Sequence, residues 1–319
     1  VTAVASESWT ADGTGFYTRR GRVDRGPIPP PDPVTEVVIL ENSEDGLPTG
    51  ALSNANMRTY LDAPTMNVPS EQLSKLSCTN VGGSYGKVIT IALPASSSGI
   101  VLQPKLSESF DEGYIEFDYR VRSGGGTGKG GKFPGLGGCA GSLGAPPSGG
   151  NHNPRGWCGR CMELGDSVGG QVSGQLEWIG YKYWPGGGAA FGIELRTGVG
   201  VNPESGTADG DWHHNKTYYR MNHSTVTNMA TDPATLVSGT HYSGVGGYFS
   251  VELDNPVSPQ YEQGDRDDPS SVGPVLRYYE PAKITNHSYA RFQGGNDTWG
   301  QVQTTDIANY RIVKVVRAP

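Results

Sequence analysis

Between residues 113 and 122 the chain alternates with a period of two. Ile115, Phe117, Tyr119 and Val121 hold the odd positions; Glu116, Asp118, Arg120 and Arg122 hold the even ones. An extended strand sends successive side chains to opposite faces, so this stretch reads as a half-buried strand with one apolar face. Residues 37–40, 87–93, 248–253, 275–279, 289–293 and 310–316 read as further strands, the second being rich in β-branched residues. No amphipathic helix of ten or more residues and no internal repeat is visible. The connections are rich in turn residues, since the 319 residues include 48 Gly and 23 Pro. Many strands joined by such loops predict an all-β fold: an antiparallel β-jelly roll, or two-sheet sandwich, with long Gly-rich loops and a sizeable core.

Residues 1–36 read as an irregular N-terminal arm and 37–319 as a single domain. Within the arm, Pro27-Ile28-Pro29-Pro30-Pro31-Asp32-Pro33 is stiff and extended, and Arg19, Arg20, Arg22 and Arg25 precede it. The arginines read as a solvated face rather than a binding patch. Two long loops stand out, 123–155 (Gly, Ser, Pro and Asn) and 255–271 (acidic and proline-containing). Long loops on a β scaffold are where function concentrates.

The formal charge of -7 argues against nucleic acid, which needs a clustered basic face. The distribution matters more. Residues 118–185 carry seven basic side chains against four acidic ones in an otherwise negative chain, a local excess able to steer a polyanion. No run of 18 apolar residues is present, so no membrane-spanning helix is expected. Val1 reads as the start of a processed chain, and a secreted, monomeric protein is the expectation. The four cysteines, Cys78, Cys139, Cys158 and Cys161, suit two disulfides in an oxidising compartment. The alternative, a zinc or redox use of the Cys158–Cys161 pair, lacks a second ligand pair at metal spacing.

The densest block of motifs begins at Lys129-Gly130-Gly131-Lys132-Phe133-Pro134-Gly135-Leu136-Gly137-Gly138. A phosphate loop would need Ser or Thr after the lysine and a helix behind it; Phe133 and Pro134 stand there instead. Gly-Gly-Lys-Phe-Pro-Gly-Leu resembles the Gly-Gly-Lys-Leu-Pro-Gly signature of the jelly-roll alginate and glucuronate lyases of polysaccharide lyase family 14, to which glucuronan lyases are related. Trp157-Cys158-Gly159-Arg160-Cys161-Met162 resembles that family's Phe-Ser-x-Arg-x-Met strand, and Tyr181-Lys182-Tyr183-Trp184-Pro185 its Tyr-x-Tyr-Leu-Pro strand. Phe292-Gln293-Gly294-Gly295-Asn296-Asp297-Thr298-Trp299 resembles its Phe-Phe-Gly-Gly-Ser-x-x-Trp segment, and residues 306–313 its closing strand. The islands keep their order from Tyr114 to Val316. Two departures stand out: Cys158 replaces the family's serine, and an extra loop at 164–174 lengthens the interval from Arg160 to Tyr181.

The resemblance implies cleavage of an acidic, uronate-containing polymer such as alginate or glucuronan by β-elimination, with no cofactor required. Elimination needs the substrate carboxylate neutralised, a base for the C5 proton and an acid for the leaving O4. Cations beside the carboxylate lower the barrier electrostatically. A Tyr, with an ordinary pKa of about 10, is drawn toward its phenolate by nearby cations and can then serve as base and, once protonated, as acid. The implied catalytic set is Lys132 and Arg160 on the carboxylate, with Tyr183 or Tyr181 as base and acid. On a strand the two tyrosines share a face and Lys182 points away. Arg122, Lys129, His152, Lys182 and Trp184 make up the expected substrate-binding set, His152 because it shares the long loop with Lys132.

Other readings compete. No HExxH motif exists, so catalytic zinc is not expected. A structural calcium ion is left open by the acidic turn Asn42-Ser43-Glu44-Asp45-Gly46 and by Asp306, although neither forms an EF-hand pattern. His213 and His214 are neighbours on a strand and would face opposite ways. A retaining glycoside hydrolase needs two carboxylates about 5 Å apart; Glu116 and Asp118 are the best pair, but Val121 stands where a third acid would complete the pattern. A non-catalytic carbohydrate-binding protein is the other alternative, with Trp157, Trp178, Trp184, Trp212 and Trp299 as stacking platforms.

Overall fold

The alternating stretch lies inside a sheet, with Ile115, Phe117 and Tyr119 at 0% exposure and Val121 at 1%. The computed structural model describes residues 8–11, 17–20, 34–94, 99–123, 131–139, 156–164, 176–182, 195–196, 210–220, 243–254, 261–274, 287–296 and 303–318. The chain divides into two units, Val1–Asp32 and Pro33–Pro319. In the first, strands β1 (Ser8–Ala11) and β2 (Tyr17–Arg20) pair antiparallel, a hairpin within the stretch that reads as irregular from sequence.

The second unit opens with β3 (Val34–Glu41), three residues ahead of the boundary read from sequence, and β4 (Gly50–Ala51). Two short helices follow, α1 (Asn54–Tyr60) and α2 (Ser70–Leu73). The next strands are β5 (Leu76–Gly82), β6 (Gly86–Leu93), β7 (Ile100–Leu102), β8 (Lys105–Phe110), β9 (Glu112–Ser123), β10 (Gly131–Lys132) and β11 (Gly135–Cys139). The rest are β12 (Gly156–Leu164), β13 (Leu176–Lys182), β14 (Leu195–Arg196), β15 (His213–Arg220), β16 (Ser243–Val245), β17 (Tyr248–Leu253), β18 (Tyr261–Gln263), β19 (Val272–Pro274), β20 (His287–Asn296) and β21 (Gln303–Arg317). The strand expected at 275–279 lies outside the described residues.

Two antiparallel sheets form the sandwich. One runs β18-β17-β15-β9-β21-β6-β5-β4, with β3 also on β21; the other runs β10-β20-β11-β12-β13-β14, with β7 and β8 also on β20. Neighbours such as β9 between β15 and β21 are far apart in sequence, so the chain crosses between sheets repeatedly, as a jelly roll requires. The core lies between them. The nine-stranded sheet contributes Ile89, Ile91, Phe117, Tyr119, Tyr219, Phe249, Tyr310 and Ile312; the eight-stranded sheet contributes Leu102, Phe133, Leu136, Ala290 and Phe292. Helix α1 is started by a reciprocal cap between Ser53 and Asn56 and buries Met57 and Tyr60. Among the described residues no helix is long and apolar enough to cross a membrane.

Cys78 is a free thiol at 1% exposure in the core, and burial pushes its pKa up. Two disulfides would need all four cysteines, so that expectation does not hold. Position 78 is an inward-facing strand position, where a small apolar side chain serves packing.

Candidate active site

The eight-stranded sheet has one core face, marked by the buried Phe133, Leu136, Ala290 and Phe292 at 0–1% exposure. Strand positions of the other parity belong to its outer face. On β20 these are 289, 291, 293 and 295; on β11 they are 135, 137 and 139. Pairing carries the parity across the sheet. Lys132 stands opposite Gly295 and Glu163, Gly137 opposite Tyr289 and Cys158, Cys158 opposite Tyr181, and Arg160 opposite Ile179. The register shift in β12 between Arg160 and Glu163 keeps both positions on this outer parity, since their partners Ile179 and Glu177 are two apart.

Lys132, Arg160 and Tyr181 therefore occupy register positions of one face, on β10, β12 and β13 of the same sheet. A single row, Tyr289–Gly137–Cys158–Tyr181, crosses four strands, and neighbouring strands lie about 4.8 Å apart. Gly137 leaves β11 without a side chain in this row, and Gly135 does the same opposite Arg291. The sequence reading overlooked Tyr289 and Arg291. Their signal was available: they alternate with the buried Ala290 and Phe292, and Arg291 is paired with Gly135.

The remaining candidates divide. Lys182 pairs with Trp157, which adjoins the Gly137–Cys158 pair, so its position has the parity of Leu136 and not that of Tyr181. Tyr183, Lys129, His152 and Trp184 lie outside the described residues. Arg122 belongs to the other sheet. It sits on β9, where it bonds Asp306 of β21, on a different sheet from Lys132, Arg160 and Tyr181. Arg122 Nε and Nη2 donate to the two Asp306 oxygens at 2.5 and 2.7 Å, and Arg120 Nε and Nη2 donate to Asp306 Oδ2 at 3.1 and 2.8 Å. The even positions of β9 alternate with the core residues and so form the outer face of the nine-stranded sheet.

That outer face also engages the two acids weighed for hydrolysis. Glu116 accepts from Arg311 Nη1 at 3.0 Å, and Asp118 holds His214 Nδ1 at 2.7 Å while accepting from Asn309. Each is occupied by a partner within its own sheet. His213 and His214 do face opposite ways: His213 is 6% exposed and bonds Asp254, whereas His214 turns outward to Asp118. The acidic turn is occupied as well. Glu44 is buried and accepts from Tyr60 at 2.8 Å, with desolvation raising its pKa, and the Lys87 ammonium donates to the carbonyls of Asp45 and Leu47. Among the described residues no group of three or more His, Cys, Asp or Glu side chains could hold a metal ion.

No family model matches the chain, and no curated protein matches it. Solved structures do. The fold is shared with alginate lyases. The alginate lyase Aly36B superimposes with a TM-score of 0.51 at 16% identity, covering 88% of this chain and 98% of its own. The marine PL-14 alginate lyase from Aplysia kurodai gives 0.52 at 13% identity, covering 88% and 100%. A variant of Aly36B with one lysine and one tyrosine replaced by alanine, in complex with alginate tetrasaccharide, gives 0.50 at 14% identity, covering 88% and 98%. At these identities the likeness is one of fold.

Proposed function

We propose that the protein is a polysaccharide lyase that cleaves an acidic, uronate-containing polymer by β-elimination along the outer face of the eight-stranded sheet. The observation that carries the reading is the common register face of Lys132, Arg160 and Tyr181. Two cations and a phenol on neighbouring strands are what elimination from a uronate demands. Lys132 and Arg160 neutralise the carboxylate, which acidifies the C5 proton. Tyr181, or Tyr183 two positions on, removes that proton and returns one to the leaving O4. The glycines at 135 and 137 leave room for a sugar ring over the middle of the sheet. Aly36B, whose fold this chain shares, is an alginate lyase with a structure in complex with alginate tetrasaccharide after replacement of a lysine and a tyrosine, the same pair of residue types. The reading includes an extracellular location and no cofactor requirement.

The test is ultraviolet absorbance of the reaction mixture on alginate blocks, glucuronan and hyaluronan. Elimination creates an unsaturated, absorbing product end, whereas hydrolysis creates none. A rise on at least one uronate polymer, abolished in Lys132→Ala, is the expected result. Chain shortening without absorbance would replace the lyase by a hydrolase, and retained binding with no product at all would leave a carbohydrate-binding protein.

A further inference from the structure

The outer face of the nine-stranded sheet carries a second basic site. Thr79, Asn80, Val81, Arg120, Arg122 and Gly210 line a solvent-open cavity of about 400 Å³. One buried carboxylate, Asp306 at 0% exposure, holds the two lining guanidiniums and also accepts from Thr90 Oγ1 at 2.7 Å. Two positive charges against one negative leave a surplus of one. The bonds to Asp306 use Nε and Nη2 of each arginine, so both Nη1 groups keep their donors unspent among the described residues. The guanidiniums are held in place. Arg120 lies 4.8 Å from the centre of the Trp212 ring, which itself stacks on Tyr85 at 3.9 Å. Arg122 is anchored to both oxygens of Asp306, a fork that loses little entropy on taking a further anion.

A buried structural ion pair would need only one arginine for one aspartate. Two arginines, each part-exposed at 23% and 34%, fixed by a carboxylate beneath them and opening on a cavity wide enough for a sugar ring, form a preorganised anion seat. We propose that this cavity is a second, non-catalytic binding site for an acidic polysaccharide, with Arg120 and Arg122 taking one uronate carboxylate and the rim at Asn80 and Val81 receiving its ring. The inference rests on the acidic-polymer reading above and adds a site on the opposite sheet. A long chain held there stays at raised effective concentration near the groove, whereas a short oligosaccharide gains nothing.

Affinity electrophoresis tests it, in native gels cast with alginate, with glucuronan or with a neutral glucan. Arg122→Ala removes one donor set. Asn80→Asp keeps the acceptor that holds the Gly82 amide and adds a negative charge at the rim, so it probes the site without touching the Asp306 cluster. With mobility taken relative to the same protein in a polymer-free gel, because each substitution changes the net charge by one, each variant is expected to bind an acidic polymer about fivefold more weakly than the parent protein, the loss of one charged contact near the surface, and to show unchanged relative mobility in neutral glucan. Retardation equal to the parent in both acidic gels for Asn80→Asp, whose folding is checked by its melting temperature, would overturn the site. A change of the same size in neutral glucan would overturn the carboxylate assignment. The outcome is separable from the lyase reading: Arg122-dependent retardation with no absorbing product would sink the lyase and keep the site, and absorbing product with unaltered retardation would do the reverse.

Discussion

His214 Nδ1 lies 2.7 Å from Asp118 Oδ1, across directly paired positions of β15 and β9. Asp118 also accepts from Asn309, whose left-handed φ of 53° falls at the register shift in β21, a conformation that Asn tolerates. The hydrogen bond to Asp118 raises the His214 pKa above its ordinary value, against the opposing effect of burial. A raised folded-state pKa means that the folded protein holds the proton more tightly than the unfolded chain. The stabilisation is complete below the unfolded value, about 6.5, and is lost as pH rises through the folded one. His214→Gln should therefore cost more stability at pH about 5 than at pH about 9. Urea midpoints of both proteins at the two pH values check it. An equal difference at both would show that the pair is not charged.

Glu112 is the hub of a buried charge cluster. Arg317 donates to both of its oxygens, Tyr218 donates to Oε1, and Arg220 at 2% exposure lies 3.7 Å away. Burial pulls the Arg220 pKa down, and Glu112 is the main influence opposing this. Arg220 also donates to the carbonyls of Gly246, Asp265, Arg266 and Asp268, tying the turn after β18 to β15. Removing one member of such a cluster leaves a buried charge without its counterpart. Glu112→Gln is expected to lose about 3 kcal/mol of stability, measured by urea unfolding, and Glu112→Asp less.

The sheets were legible because their signal is local. The odd positions from Ile115 to Val121 declare a buried face within ten residues, and they are at 0–1% exposure. Short motifs single out Lys132, Arg160 and Tyr181 as candidates, but their common face depends on pairings between strands that no window of sequence contains. The sheet that Arg122 joins was hidden for the same reason. Its proximity in sequence to the Gly-rich loop says nothing about which sheet it joins, and its partner Asp306 lies 184 residues away. The bond between His214 and Asp118, separated by 96 residues, had no sequence signal at all.

Gly294 shows why a motif glycine can be structural. It occupies the core parity of β20, opposite Ile100, and a Cβ there would collide with Ile91 Cδ1 of the facing sheet. The clash is with the end of a flexible side chain, so it can be relieved from the other side. Gly294→Ala should lower stability by about 1–3 kcal/mol, the usual cost of overpacking. Adding Ile91→Val, which removes the colliding methyl, should recover part of the loss. Melting temperatures of the two single variants and the double variant measure the coupling, and strict additivity would mean that the two sheets do not meet there as described.

For Tyr181 and Lys132 the expected signature is kinetic. A phenol that moves protons acts on the transition state, so Tyr181→Phe should lower kcat by about 10²-fold or more with little change in KM. If Tyr183 is the base instead, Tyr183→Phe shows that loss and Tyr181→Phe a milder one. On the proposed reading, Lys132 meets the carboxylate in both ground and transition states, but more strongly once charge builds on the sugar during proton removal. Lys132→Ala should then lower kcat by roughly 10²-fold and also raise KM. Steady-state rates from the absorbance assay, on a polymer that the parent protein cleaves, separate the two patterns. A Tyr181→Phe, Tyr183→Phe double variant that keeps the parent kcat would remove the phenols from the chemistry, since a packing tyrosine on this sheet could lose its hydroxyl without slowing turnover.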